Sequence, residues 1–140
     1  MIPKFRAWDV HNMEMFTNDQ LIIWNGNIYA NDPGKISADK MRGWSIDEKY
    51  LMQSTGLFST FAQDELFEDD VISWTYFDEF EDGGKARIIH RDGCWKLLDI
   101  KTGKEAWDSL FDCLENCTVF LSGNIYENPE FAEYEMAHFF

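Results

Sequence analysis

Along the chain, apolar and polar residues alternate in short runs separated by turn formers, the pattern of half-buried strands joined by tight connections. Lys4-Phe5-Arg6-Ala7-Trp8 alternates in this way, and Asp9 to Asn12 carries turn formers before Met13-Glu14-Met15-Phe16. This predicts an N-terminal hairpin. Leu21-Ile22-Ile23-Trp24, the turn Asn25-Gly26-Asn27 and Ile28-Tyr29-Ala30 predict a second, because Asn-Gly readily takes the positive φ angles of a tight turn.

Residues 31–48 open with Asn31, Asp32, Pro33 and Gly34 and continue without an apolar period, which predicts a connector holding at most one helical turn. Tyr50-Leu51-Met52-Gln53 is a short apolar stretch ended by Ser54-Thr55-Gly56. Val71-Ile72-Ser73-Trp74-Thr75-Tyr76-Phe77 is rich in branched and aromatic residues and predicts a strand. Asp82-Gly83-Gly84 is expected to turn. Lys85 to His90 and Cys94 to Ile100 flank Arg91-Asp92-Gly93 as a further hairpin.

Between Glu105 and Asn116, the residues Ala106, Trp107, Leu110, Phe111 and Leu114 share one helical face, predicting an amphipathic helix of about three turns. A last strand begins at Thr118-Val119-Phe120-Leu121, bends at Gly123-Asn124 and closes at Asn128-Pro129-Glu130, and Glu130 to Met136 is expected to form a short helix. The string Gly-Asn-Ile-Tyr occurs at 26–29 and 123–126, but the flanks differ and no repeat is inferred. The expected class is therefore α+β, dominated by strands.

Composition makes such a fold self-sufficient. The chain has 140 residues, with twelve Phe, six Trp and five Tyr. At this length about two-thirds of the unfolded surface is buried, and each buried aromatic removes about 150–250 Å² from water. Three cysteines, Cys94, Cys113 and Cys117, and an N-terminus without a long apolar stretch point to a reducing cytoplasm. No run approaches the roughly 18 apolar residues of a membrane span.

Charge changes the picture more. Of the net −14, residues 1–63 hold seven acids against six bases, whereas residues 64–140 hold nineteen against six. Direct binding to DNA or RNA is disfavoured, since that needs a basic face. Asp64, Glu65, Glu68, Asp69, Asp70, Asp78, Glu79, Glu81 and Asp82 place nine carboxylates in nineteen residues with no base among them. Such a surface is either a solvated rim that keeps the protein soluble or a field that meets a basic partner, as the phosphates of DNA would. Leu66, Phe67, Trp74, Tyr76, Phe77 and Phe80 between the acids would form the core beneath, or anchors at the interface.

Other chemistry is thinner. Cys113 and Cys117 lie four apart and, with Cys94 or His90, have the ligand types of a zinc site, although helical cysteines more often pack as small hydrophobes. Glu68, Asp69 and Asp70 are the residue types of a magnesium site, but adjacent carboxylates are usually surface charge. His11, His90 and His138 are scattered, and no nucleophile elbow or phosphate loop is present. No catalytic residue, cofactor or metal is assigned. Three functional classes follow: a protein that binds a macromolecule through its acidic surface; an oligomeric scaffold or ligand-sequestering assembly in which Lys85, Arg87, Arg91 and Lys96 line a shared pocket; and a metal-dependent hydrolase.

Three ordered strings carry a resemblance: Lys4-Phe5-Arg6-Ala7-Trp8-Asp9, Leu51-Met52-Gln53-Ser54-Thr55-Gly56-Leu57 and Gly123-Asn124-Ile125-Tyr126-Glu127-Asn128-Pro129-Glu130. Together they resemble the YopX family of bacteriophage and prophage proteins of Gram-positive hosts. The family pattern continues after the middle string with a lysine- and glycine-rich turn and an Ile-Tyr-Glu-Gly-Asp-Ile-Val segment. Here Ser59-Thr60-Phe61-Ala62-Gln63 replaces the lysines, and Leu66-Phe67-Glu68-Asp69-Asp70-Val71-Ile72 matches the segment with Asp69 at the glycine position.

The resemblance implies an N-terminal β-hairpin region with its connector over 1–50 and a C-terminal small barrel resembling SH3 domains over 51–140. It also implies a phage-encoded cytoplasmic protein that forms a homo-oligomer and has no enzyme activity; the acidic surface, separately, gives the expectation of a host protein partner such as a basic nucleic-acid-binding or defence protein. The terminal strand with Lys4, Phe5, Arg6 and Trp8 either pairs internally or crosses to a neighbouring subunit.

Overall fold

In the computed structural model, which describes residues 4–30, 44–76 and 82–131, the chain forms two compact units, Met1–Ser54 and Thr55–Phe140. The first is built from β1 (Phe5–Asp9), β2 (Glu14–Phe16), β3 (Leu21–Trp24), β4 (Asn27–Ala30), β5 (Trp44–Ile46) and the start of β6 (Leu51–Phe58). The expected β1–β2 hairpin is present, with Ala7 opposite Phe16. Its turn is held by the buried Asp9, which accepts hydrogen bonds from the His11 N–H at 3.0 Å and from Asn12 Nδ2 at 2.7 Å. The β3–β4 hairpin closes on Asn25 and Gly26 at φ 52° and 79°, the two left-handed residues of a two-residue turn.

Trp44–Ile46 is a strand where only a connector was expected. It is too short to show a period, and it forms because β4 offers it a ladder and a place for the buried Ile46. The 3₁₀ turn at Glu48–Tyr50 follows, capped by the Asp47 carboxylate on the Lys49 N–H at 3.0 Å. Ala7, Phe16, Ile28, Ala30 and Ile46 form the core, with Leu21, Tyr50 and Leu51 against it. The remainder of the predicted connector, residues 31–43, lies outside the described residues.

Strand β6 does not stop at Ser54-Thr55-Gly56 as expected but runs on to Phe58. Gly56 accepts φ 74°, and Thr55 Oγ1 donates to the Leu66 carbonyl at 2.7 Å while accepting from the Leu57 N–H at 3.0 Å. Its first half pairs β1 and its second half pairs β7 (Glu65–Phe67). The second unit continues with β8 (Asp70–Tyr76), β9 (Asp82–Arg91), β10 (Cys94–Asp99), β11 (Glu105–Ala106), α1 (Leu110–Asn116) and β12 (Cys117–Asn124). Five of these strands form one antiparallel sheet in the order β11-β10-β9-β8-β12. Alternation sends Ile72, Trp74, Ala86, Ile88, Leu97 and Val119 inward, where Leu66 and the helix residues Leu110 and Cys113 complete the core.

Register shifts between Trp74 and Thr75 and between Leu121 and Gly123 mark the bulges that curl this sheet. Gly83 and Gly84 belong to β9 rather than to a turn. A Cβ at either would collide with the Trp74 indole, so glycine is required by close approach of backbone to ring. The helix is also shorter than predicted. Glu105 and Ala106 pair with β10, Trp107 sits at φ 60°, and α1 begins only after Ser109, whose Oγ accepts from the Asp112 N–H at 3.2 Å. Past β12, Pro129–Phe131 makes a 3₁₀ turn, and the rest of the helix expected to Met136 lies outside the described residues.

Between β7 and β8, Asp69 takes φ 70°, a conformation that aspartate tolerates better than most residues and glycine adopts freely. Its carboxylate Oδ1 binds Arg87 Nη2 at 2.8 Å and Nε at 3.0 Å. Asp69→Gly is therefore expected to relieve the backbone while losing the ion pair, for a net loss of about 1–2 kcal/mol, and Asp69→Ala to lose about 1 kcal/mol more. Urea midpoints that rank Gly below Ala would show that the left-handed backbone at 69 does not set the difference between them.

Candidate interaction surface

Among the described residues, the acidic run is split between exposed and buried positions. Asp64 is exposed at the end of a loop closed by Ser59, whose N–H donates to the Asp64 carbonyl at 2.8 Å. Glu65 and Glu68 are half-buried. Asp69 and Asp70, expected on the surface, are 7% and 1% exposed. The reason is the β7–β8 turn: Asp69 turns to Arg87, and Asp70 Oδ2 accepts the Phe67 N–H at 2.8 Å. Asp82 opens β9, and Asp78, Glu79 and Glu81 lie outside the described residues. Among the interleaved apolar residues, Leu66 and Trp74 are core, Phe67 is half-buried and Tyr76 is exposed, while Phe77 and Phe80 are outside the described residues.

Lys85, Arg87, Arg91 and Lys96 do share one face of the β9–β10 hairpin, since the register sets Arg91 opposite Cys94 and Ile89 opposite Lys96. Each is engaged by a local partner. Arg87 holds Asp69; Arg91 Nη1 binds Glu105 Oε1 at 2.8 Å; Lys96 Nζ donates to the Asp108 carbonyl at 2.6 Å; Lys85 Nζ lies over the Phe131 ring, 5.4 Å from its centre. The remaining bases of this unit, Lys101 and Lys104, are exposed, as are Asp92, Glu105, Asp108, Glu115, Glu127 and Glu130.

The cysteines and histidines are not gathered into one site. Cys113 and Cys117 are both buried in the core, where desolvation pushes each thiol's pKa up, for Cys113 with the neighbouring Cys117 adding to it. Cys94 is exposed at the β9–β10 turn, and His90 stacks on Trp95 with ring centres 4.7 Å apart. Among the described residues no three His, Cys, Asp or Glu side chains come together to hold a metal ion. His11 instead lines a groove of about 450 Å³ with Asn27, Ser45, Asp47 and Glu48 in the first unit, and His138 is outside the described residues.

The terminal strand with Lys4, Phe5, Arg6 and Trp8 is paired within its own chain on both flanks. Ala7, Trp8 and Asp9 meet β2, and Phe5, Arg6 and Ala7 meet β6. The Ser54 N–H donates to the Lys4 carbonyl at 2.8 Å, and the Phe5 N–H to Asn18 Oδ1 at 3.0 Å. What sequence reasoning missed is apolar exposure elsewhere. Phe61 is 68% exposed and stacks on Phe120 at 4.6 Å, and Ile22, Ile23 and Trp24 all face solvent on β3. The signal available for β3 was the uncharged run from Gln20 to Ala30.

A family model described as YopX protein matches residues 4–133. Among solved structures, protein EF1440 from Enterococcus faecalis is 24% identical, with 93% of this chain and 97% of that chain covered at a TM-score of 0.58. Protein yopX from Bacillus subtilis is 17% identical, with 91% and 96% covered at a TM-score of 0.61. At these identities both are likenesses of fold. No curated protein matches.

With Cys94 exposed and the other two thiols buried, a disulfide-exchange reagent added to the native protein is expected to titrate one thiol quickly, and all three only after denaturation. Fast reaction of three native thiols would contradict the buried placement of Cys113 and Cys117.

Proposed function

The chain belongs to the YopX protein family, and from that premise we propose that it is a phage- or prophage-encoded accessory protein that binds a basic host macromolecule through the acidic exterior of residues 55–140. The observation that carries this reading is the imbalance of nineteen acids against six bases in that half of the chain, sharpened by local use of the bases. Four of the six, Lys85, Arg87, Arg91 and Lys96, already engage neighbours. The field felt by an approaching molecule is then dominated by exposed carboxylates such as Asp64, Asp92, Asp108, Glu115, Glu127 and Glu130.

A field of this kind raises the encounter rate with a cationic protein and repels nucleic acid, and its reach is set by salt. A host nucleic-acid-binding or defence protein has the complementary face, because it must itself attract phosphates. Engagement of the same four cations weighs against the alternative in which they line a pocket for an anionic metabolite. The proposal includes no catalytic step and no cofactor.

Capture of host proteins on the immobilised chain tests this. Retention is expected to fall steeply between about 50 and 500 mM salt, over which the screening length drops from more than about 10 Å to less than about 8 Å. It is expected to fall again when Asp64→Asn, Glu115→Gln and Glu130→Gln are combined. Partners held equally at both salts and by the neutralised variant would reject the acidic surface as the binding element.

A further inference from the structure

The loop of residues 59–64 joins β6 to β7 and is fastened at its neck and along one side. At the neck, the buried Ser59 donates its N–H to the Asp64 carbonyl at 2.8 Å, and its Oγ accepts the Asp64 N–H at 3.0 Å. Along the side, the Phe61 N–H donates to the Val119 carbonyl at 3.1 Å, and Thr60 Oγ1 accepts the Val119 N–H at 2.7 Å. The loop is therefore held in one shape before any partner arrives, which lowers the ordering cost of binding.

That shape presents an aromatic ring to water. Phe61 is 68% exposed; one face rests on Phe120, with ring centres 4.6 Å apart and planes inclined by 40°, and the other face is open. A single exposed apolar side chain is ordinary, but this one has an unusual neighbourhood. Three residues on in the same closed loop, the exposed Asp64 carboxylate has no partner among the described residues. The segments that supply the ring pair and the carboxylate hold no base: no Lys, Arg or His occurs from Thr55 to Gly84 or from Glu105 to Ala137. Among the described residues no cation lies over either ring.

An open aromatic face attracts a cation through its quadrupole, and a carboxylate beside it attracts the same cation through its charge. We infer that Phe61 and Asp64 form the docking point for an arginine side chain of a basic partner, the guanidinium lying on the open face of Phe61 and donating to the Asp64 carboxylate. The inference rests on the reading that the acidic exterior meets a cationic macromolecule, and it names the group by which that partner is held.

The chemistry of the two elements selects arginine. A guanidinium is planar, stacks on a ring and donates two parallel hydrogen bonds to a carboxylate, whereas the lysine ammonium is a compact and strongly hydrated point charge. An aliphatic side chain seated on Phe61 would cover the ring while taking water from Asp64 without replacing its hydrogen bonds. A phosphate is repelled by the same carboxylate.

Two end-blocked peptides, Gly-Arg-Gly-Gly-Arg-Gly and Gly-Lys-Gly-Gly-Lys-Gly, test the inference when titrated into the full chain at low salt. The arginine peptide is expected to bind about two- to five-fold more tightly, the range of an exposed cation–aromatic contact, and to shift the Phe61 and Phe120 ring resonances. Phe61→Ser should remove that preference, and so should Phe61→Leu, which keeps an apolar side chain without a ring face. Asp64→Asn should weaken the arginine peptide by a similar factor. Phe111→Ser, at an exposed phenylalanine on α1, should change neither affinity. Because Phe61 is mostly exposed, its variants are expected to keep the wild-type urea midpoint. Equal affinity for the two peptides, or an arginine preference that survives Phe61→Leu, would overturn the docking point. If both peptides then still bound in a salt-sensitive way, the acidic exterior would stand without it; binding indifferent to salt would remove both.

Discussion

The Asp69 residue joins three parts of the second unit at one point. Its carboxylate holds Arg87 on β9, its N–H donates to the Ile88 carbonyl at 2.8 Å, and its own carbonyl accepts from the Ile125 N–H at 3.3 Å. The β7–β8 turn is thereby fixed both to the middle of the sheet and to the segment that leaves β12. Because Asp69 is nearly buried and Arg87 is only partly exposed, the pair works in a reduced dielectric, where losing one partner strands the other. A left-handed backbone at 69 is tolerated because these contacts over-determine it.

The same logic runs through the strings shared with the YopX family. Asp9 caps the β1–β2 turn, Thr55 and Gly56 shape the bend in β6, and Asp70 closes the turn before β8. Asn124 organises the exit from β12, its Oδ1 accepting from Tyr126 and Glu127 N–H groups at 3.0 and 2.8 Å and its Nδ2 donating to Glu127 Oε1 at 2.9 Å. Gly123 is required beside it, since a Cβ there would collide with Asn128 Oδ1. These residues satisfy backbone groups at places where the chain changes direction, which no generic polar residue would do. They are marks of a fold, and so a match built on them speaks to architecture and leaves the surface to argue function.

On that surface the two halves of the chain differ in kind. The first is close to neutral and exposes apolar residues on an unblunted edge; the second is strongly acidic and has drawn most of its bases into local pairs. Uncharged edges recognise by backbone hydrogen bonding and shape, while a charged exterior selects partners at a distance.

Much of this was legible in the residues themselves. Alternation and strand-forming residues located β1, β8, β9 and β10, Asn25-Gly26 and Asp92-Gly93 marked the β3–β4 and β9–β10 turns, and the charge asymmetry between halves needed only counting. Those features are local, set by residues within a few positions of one another. Tertiary structure decided the rest: that Trp44–Ile46 would be a strand, that Gly83-Gly84 would lie beneath an indole, that Trp107 would leave α1 two turns long, and that Asp69 and Asp70 would turn inward. Each depends on a partner distant in sequence, such as β4, Trp74, β10 or Arg87, and a pattern read along one strand of chain carries no record of what will be packed across from it.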